Sequence, residues 1–259
     1  MTLLHDDRLL ERLRAGERLC GMQSFSASPV LVEAMGLSGL DFTVIDMEHC
    51  PTGLETLAHL LRAAQSSGLV PWVRLPELDV SLIGRVLDLG THGIVLPHAT
   101  PARCSAALKA ARYAPQGERG ACPVVRAAGY LPADWAAYTE AANRRTMVIP
   151  LIEDREGLDT AQAILDLEGI DIVFLGPFDL AVSLGIPGAD YRHARLHGIL
   201  TDLVAAATQR GKFVMTTVGA TIDHEYAATL VRAGVRLLSF SADVAVFMNA
   251  CRKIATLRT

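Results

Sequence analysis

What this sequence lacks narrows it first. Its five cysteines (Cys20, Cys50, Cys104, Cys122 and Cys251) are odd in number and show no CxxC or other metal-ligand spacing. Neither a disulfide framework nor a zinc site is indicated, and they read as free thiols in a reducing cytosol. No apolar run approaches the ~20 residues that span a bilayer. The N-terminal stretch MTLLHDDRLLERLRAGERL lacks the basic-then-apolar layout of a signal peptide, so a cytoplasmic protein is expected. Basic charge is not in excess: 24 Lys and Arg against 28 Asp and Glu give a formal −4, with no electrostatic basis for binding nucleic acid. Low-complexity tracts and linkers are missing too. With membrane and nucleic acid set aside as partners, a small molecule is expected.

What is present is apolar and alternating. Hydrophobic residues make up 51% of the chain and mean hydropathy is +0.29, high for a soluble monomer, which points to a subunit interface. The 259 residues sit close to the roughly 250 of one (β/α)8 TIM barrel, so 1–259 reads as a single domain with an N-terminal helix over 1–18. Eight short β-branched runs fit its strands: Leu19–Met22, Phe42–Asp46, Trp72–Leu75, Gly93–Leu96, Met147–Ile152, Ile172–Leu175, Phe213–Thr216 and Leu237–Phe240. Between them lie helical segments, among them Gly53–Ser66, Val80–Leu89, Pro101–Tyr113, Glu156–Leu167, His193–Gln209 and Ile222–Ala233. Gly68, Gly90, Gly211 and Gly234 stand as C-terminal stops. A doubly wound open sheet shares this alternation, but strand count and length favour the barrel. The long connection 114–131 is a candidate lid or binding loop.

In a barrel the C-terminal ends of the strands converge on one mouth, so polar groups that interrupt the apolar runs there carry the chemistry. The second run ends in Asp46-Met47-Glu48-His49, the third in Arg74, the fifth in Glu153, and the sixth in Gly176-Pro177-Phe178-Asp179. Glu153 and Asp179 are hard oxygen donors suited to Mg²⁺ or Mn²⁺. Equally, Asp179 suits a helix cap and Glu153 a first helical turn. Arg74 is a permanent planar cation able to stabilise an enolate oxygen, or else a structural partner of Glu48 or Asp46. His49 fits a proton shuttle, oriented by Asp46 or Asp88. His98, after the fourth run, points at the same mouth, and the remaining histidines, His92 among them, are expected on helices or exposed segments.

The segments IDMEH, PWVRLP, LDLGTHGIVLPH, ARYAPQGERG, IEDREGL and GPFDLAVSLG resemble, in order and spacing, the HpcH/HpaI class II 2-oxo acid (pyruvate) aldolases. The match runs from about Gly21 to the C-terminus. The resemblance implies a divalent-metal-dependent carbon–carbon lyase working through a metal-held enolate: aldol or retro-aldol chemistry of 4-hydroxy-2-oxo acids, giving pyruvate and an aldehyde. It further implies Glu153 and Asp179 as metal ligands, Arg74 as the enolate-stabilising cation, His49 with Asp88 as the acid–base pair and Asp46 as a supporting carboxylate. A homo-trimer or homo-hexamer with an exchanged C-terminal helix is implied as well. The chain departs from the family's pattern at Gln23, Met47, Leu151 and Phe178, where the family has Trp, Gly, Gln, and Ala or Ser. With Gly176 and Pro177, these residues are expected to line the substrate site.

Two other readings share the scaffold. A siderophore-pathway citrate synthase would condense oxaloacetate with acetyl-CoA, with Arg119 and Arg126 meeting carboxylates or a CoA phosphate. A non-catalytic barrel would merely bind a carboxylate, but such a protein has no need of Arg74, Glu153 and Asp179 together. A phosphate-binding isomerase barrel should show glycine-rich turns after strands seven and eight, and Ser239-Phe240-Ser241-Ala242-Asp243 has none.

Overall fold

Side chains alternate across a strand, and here the alternation sorts them between two cores. In the computed structural model, which describes residues 8–258, eight parallel strands close into a barrel in chain order. They are β1 Leu19–Ser24, β2 Phe42–Asp46, β3 Val70–Arg74, β4 Gly93–Leu96, β5 Met147–Ile152, β6 Ile172–Leu175, β7 Phe213–Gly219 and β8 Leu237–Ala242. The helices are α1 Arg8–Arg14, α2 Pro29–Leu37, α3 Leu54–Ser66, α4 Val80–Asp88, α5 Pro101–Ala111 and α6 Trp135–Arg145. They continue with α7 Arg155–Asp159, α8 Ala161–Leu165, α9 Pro177–Ser183, α10 Ala194–Gln209, α11 His224–Arg232 and α12 Asp243–Ala255. The expected barrel is thus present. The segment expected as one helix over Glu156–Leu167 is two, α7 and α8, joined at Thr160.

One set of strand residues faces inward. Leu19, Phe42, Val44, Trp72, Val95, Ile149, Leu151, Ile172, Phe174, Met215 and Leu237 fill the barrel, and Leu9 and Leu13 of α1 join them. Phe42 and Trp72 pack with ring centroids 4.9 Å apart. The alternate residues, such as Ile45, Val73, Ile94, Ile152 and Val173, face out against the helices. The same period carries past the last core layer: two residues beyond Val44, Trp72 and Leu151 come Asp46, Arg74 and Glu153. Three charged groups therefore enter the barrel mouth because the residues below them belong to its core.

Register then pairs them. Asp46 lies opposite Arg74 on the neighbouring strand, and Leu151 opposite Phe174. The ladders are regular from β2 to β7. Where the barrel closes, register shifts between Gly21 and Gln23 on β1 and between Thr217 and Gly219 on β7. The four expected helix stops hold: Gly68, Gly90, Gly211 and Gly234 have φ between +68° and +96°, a region open to glycine at little cost.

The connection after α5 lies at the opposite end from the mouth, because each helix returns the chain to the start of the next strand. Arg119 is buried there, its Nη2 donating to Asp88 Oδ1 at 2.7 Å and its guanidinium lying 4.6 Å from the Tyr113 ring centre. Arg126 donates to the Leu89 carbonyl at 2.8 Å and to Gln65. Within the chain, then, 114–131 contributes no residue to the mouth, and Arg119 and Arg126 are not the mouth cations expected of them. Among the described residues no helix is long and apolar enough to cross a membrane.

His92, expected at the surface, is half-buried at the start of β4; its N–H donates to Pro71 O and its carbonyl accepts from Met147 N. Burial pushes its imidazole down to about 3 from the usual 6.5. Between those values the unfolded chain binds a proton that the folded chain does not, so the contribution of His92 is intact above about pH 6.5 and is lost as pH falls. The drop in melting temperature between pH 7 and pH 4 is expected to be smaller by a few degrees in His92→Leu than in the parent, measured by calorimetry.

Candidate active site at the barrel mouth

A single carboxylate organises one side of the mouth. Asp46 is fully buried; its Oδ1 accepts from Arg74 Nε at 2.5 Å, and its Oδ2 accepts the His49 N–H at 2.8 Å. Arg74 Nη1 stands 3.1 Å from Glu48 Oε2, and His49 Nε2 lies 3.7 Å from the same oxygen. Both structural partners considered for Arg74 are therefore real, and they hold its guanidinium rather than withdraw it, because Arg74 still lines the cavity. Phe25 approaches from the loop after β1, its ring centre 5.7 Å from the Arg74 guanidinium carbon.

The second cluster gathers at the ends of β4 and β5. Glu153 is 4% exposed; its Oε1 accepts the His98 N–H at 2.9 Å, and His98 Nδ1 lies 3.0 Å from Asp154 Oδ2. Burial pushes the Glu153 carboxyl up to about 7, opposed by the His98 N–H and reinforced by the negative charge of Glu48 and, less strongly, of Asp179. Burial raises Glu48 as well. Its Oε2 makes no well-aligned hydrogen bond despite the nearby Arg74. The chain must be glycine at 176, since a Cβ there would stand 2.9 Å from the Glu153 Cβ.

These groups open onto a cavity of about 470 Å³. Gln23, His49, Arg74, Leu151, Glu153, Gly176, Pro177, Phe178 and Asp179 line it, together with Phe25, Phe174, Tyr191, Thr217, Gly219, Ala220, Ser241, Ala242 and Ala245. Three expected residues do not join them, and of these Asp46 lies fully buried as the partner of Arg74. Met47 follows inward-facing Asp46 and so packs on the outer core. Asp88 ends α4 and belongs to the far end of the barrel, tied to Arg119. Within one chain it cannot pair with His49.

The residues present suit a hard divalent cation. Glu48, His98 and Glu153 each offer a ligand atom, all within 4.8 Å of one another; Asp179 lines the same cavity from the first turn of α9. Buried carboxylates that repel one another favour binding of a cation between them.

Sequence reasoning missed Asp243. It is 5% exposed and accepts from the backbone N–H of Phe25 (2.9 Å), Ser26 (3.1 Å) and Val244 (2.8 Å), and from the hydroxyls of Ser24 (3.3 Å) and Ser26 (2.5 Å). It thereby fastens the β1 loop, and Phe25 with it, to the start of α12. Tyr191 was missed too. It fills the space over Gly219, where a Cβ would come 2.5 Å from its hydroxyl.

An eight-stranded barrel with a cation, buried carboxylates and a histidine at its C-terminal mouth defines a class of small-molecule enzyme. The chain belongs to the HpcH/HpaI aldolase/citrate lyase family, whose model matches residues 19–250, and it is an enzyme of the aldolase and lyase kind. The family is divalent-metal-dependent. Among similar proteins is a 5-keto-4-deoxy-D-glucarate aldolase of Salmonella paratyphi C, 33% identical over 93% of this chain and 95% of its own length. An HpcH/HpaI aldolase/citrate lyase family protein from Burkholderia cenocepacia superposes with a TM-score of 0.89 at 33% identity, covering 98% of this chain and 100% of its own. The citrate synthase SbnG gives 0.84 at 30%, covering 96% and 97%.

Asp243→Ala is expected to leave several buried donors unpartnered. A loss of about 2–3 kcal/mol in stability follows, read as a lower urea midpoint with an unchanged slope.

Proposed function

We propose that the protein is a divalent-metal-dependent 2-oxo acid aldolase that makes or breaks a carbon–carbon bond through the enolate of pyruvate. The observation that carries this reading is the buried Glu153 carboxylate facing the same cavity as a guanidinium, Arg74, already fixed by two carboxylates. A divalent cation such as Mg²⁺ or Mn²⁺ supplies Lewis acidity to the 2-oxo acid when bound, and Glu153 and Asp179 would hold it with Glu48 alongside.

The chain's own groups do the rest. Arg74, oriented in advance by Asp46 and Glu48, meets negative charge as it develops on the enolate oxygen, without reorganising at the moment of reaction. His49, more than half exposed at the rim, is placed to carry protons between the reacting centre and solvent. In cleavage, the 4-hydroxyl loses its proton and the C3–C4 bond breaks. Its electron pair enters the enolate, the aldehyde leaves, and C3 takes a proton to give pyruvate.

The citrate-synthase reading is less well served. Oxaloacetate brings a second carboxylate, and Arg74 is the one permanent cation among the described residues lining the cavity. Assembly as a trimer or hexamer with exchange of the C-terminal helix fits α12, which exposes Val244, Phe247, Met248 and Ile254. A cytoplasmic setting suits five free thiols.

Metal-dependent proton–deuterium exchange at the pyruvate methyl group, followed by NMR in D2O, tests the enolisation directly. Exchange with Mg²⁺ or Mn²⁺, abolished by EDTA and lowered at least about a hundredfold in Arg74→Ala, is the expected result. Exchange indifferent to EDTA or to Arg74 would overturn the reading. For the assembly, Phe247→Asp is expected to release smaller species in light scattering coupled to gel filtration, because it puts a charge on the exposed apolar face of α12. An unchanged mass would remove α12 from the interface.

A further inference from the structure

The cavity divides by strand. His49, Arg74, Glu153 and Asp179 follow β2, β3, β5 and β6, and together they form the side on which the 2-oxo acid reacts. The other side comes from β1, β7 and β8 together with the start of α9, whose first turn carries Phe178 beside Asp179; Phe25, Phe178, Ala220, Ala242 and Ala245 stand above a floor of Leu151 and Phe174. The floor is rigid, since Leu151 and Phe174 are 2% and 3% exposed and belong to the barrel core. Phe178, by contrast, is 57% exposed and lines the cavity, a large aromatic surface open within this chain.

Polar groups on this side are neutral, and each already makes a hydrogen bond within the chain. Gln23 Nε2 donates to Thr217 Oγ1 at 3.4 Å, Ser241 Oγ donates to the Ala220 carbonyl at 3.0 Å, and the Tyr191 hydroxyl accepts from Arg192 at 3.3 Å. Among the described residues lining this side there is no cation, and neighbouring Arg192 pairs with Asp223 at 2.7 Å and lies over the Tyr191 and Tyr226 rings. A carboxylate bound here would exchange its water for neutral hydroxyl and amide donors with no cation to meet its charge, whereas an apolar group gains contact with aromatic and aliphatic surface. The volume, about 470 Å³, is that of a site for a ligand well beyond three carbons.

Building on the proposed pyruvate chemistry, we infer that the second substrate is an uncharged apolar aldehyde, aromatic or branched aliphatic, seated on Leu151, Phe174 and Phe178. The enolate C3 bonds to the aldehyde carbon, and the carbonyl π pair moves to oxygen, which takes a proton. The product is a 4-hydroxy-2-oxo acid with an apolar substituent on C4.

The test uses the native assembly with Mg²⁺ and pyruvate. Condensation with benzaldehyde, 3-methylbutanal, glycolaldehyde and glyoxylate is followed by NMR, alongside exchange at the pyruvate methyl group. For wild type, kcat/KM with benzaldehyde or 3-methylbutanal is expected to exceed that with glyoxylate and glycolaldehyde by at least about tenfold. Leu151→Gln and Phe178→Ala are each expected to cut that ratio by about tenfold. Equal or better use of glyoxylate or glycolaldehyde by wild type overturns the inference, as does a ratio that neither variant changes. Exchange without condensation with any of the four aldehydes overturns it while leaving pyruvate enolisation standing. A wild type that shows no exchange removes both.

Discussion

The buried pair between Asp46 and Arg74 is the constraint on which the mouth depends. It exists because β2 and β3 pair in one register; a slip of one residue in either strand would turn that strand's charge into the outer apolar core. Breaking such a pair by removing one partner costs about 3–5 kcal/mol, so it also penalises every other register of these two strands. The same carboxylate accepts the His49 N–H, which sets the course of the chain just beyond β2. The group that fixes the cation thus also fixes the residue that handles protons.

Asp243 plays a matching part on the other side. Its oxygens collect donors from the β1 loop and from the start of α12, and through Phe25 that network touches Arg74. Two buried carboxylates, one on β2 and one after β8, therefore hold the reacting centre from opposite directions. Asp46, Glu153 and Asp243 are buried, whereas His49 and Phe178 stand exposed at the mouth. Both are suited to meeting something that arrives from solvent.

Much of this was legible in the residues. Asp46, Arg74 and Glu153 each interrupt an apolar run, and alternation alone then turns them inward. That same alternation turns Met47 outward, a consequence the motif around it conceals. Asp88, Arg119 and Arg126 do not reach the mouth of their own chain for a related reason: they lie in motifs that resemble the family's, but a helix ending at Asp88 must deliver the chain to the start of β4, far from that mouth. Asp243 was invisible because its worth lies in donors 218 and 217 positions earlier in the chain. Nor does any local pattern report that burial raises Glu153, since the groups that enclose it come from several strands.

The irregular closure of the barrel has a consequence of its own. Ladders from β2 to β7 are regular and carry the cation and carboxylates, while the register shifts fall where β8 meets β1 and β7, beside the apolar wall. Part of the apolar wall, from Phe25, Ala220, Ala242 and Ala245, is therefore encoded apart from the reacting groups, while Leu151 and Phe178 sit beside Glu153 and Asp179 in the chain. Mutations that reshape the apolar arc need not disturb the ion pair at β2 and β3, so a lineage built on this scaffold can drift from one electrophile to another while its proton chemistry is inherited intact.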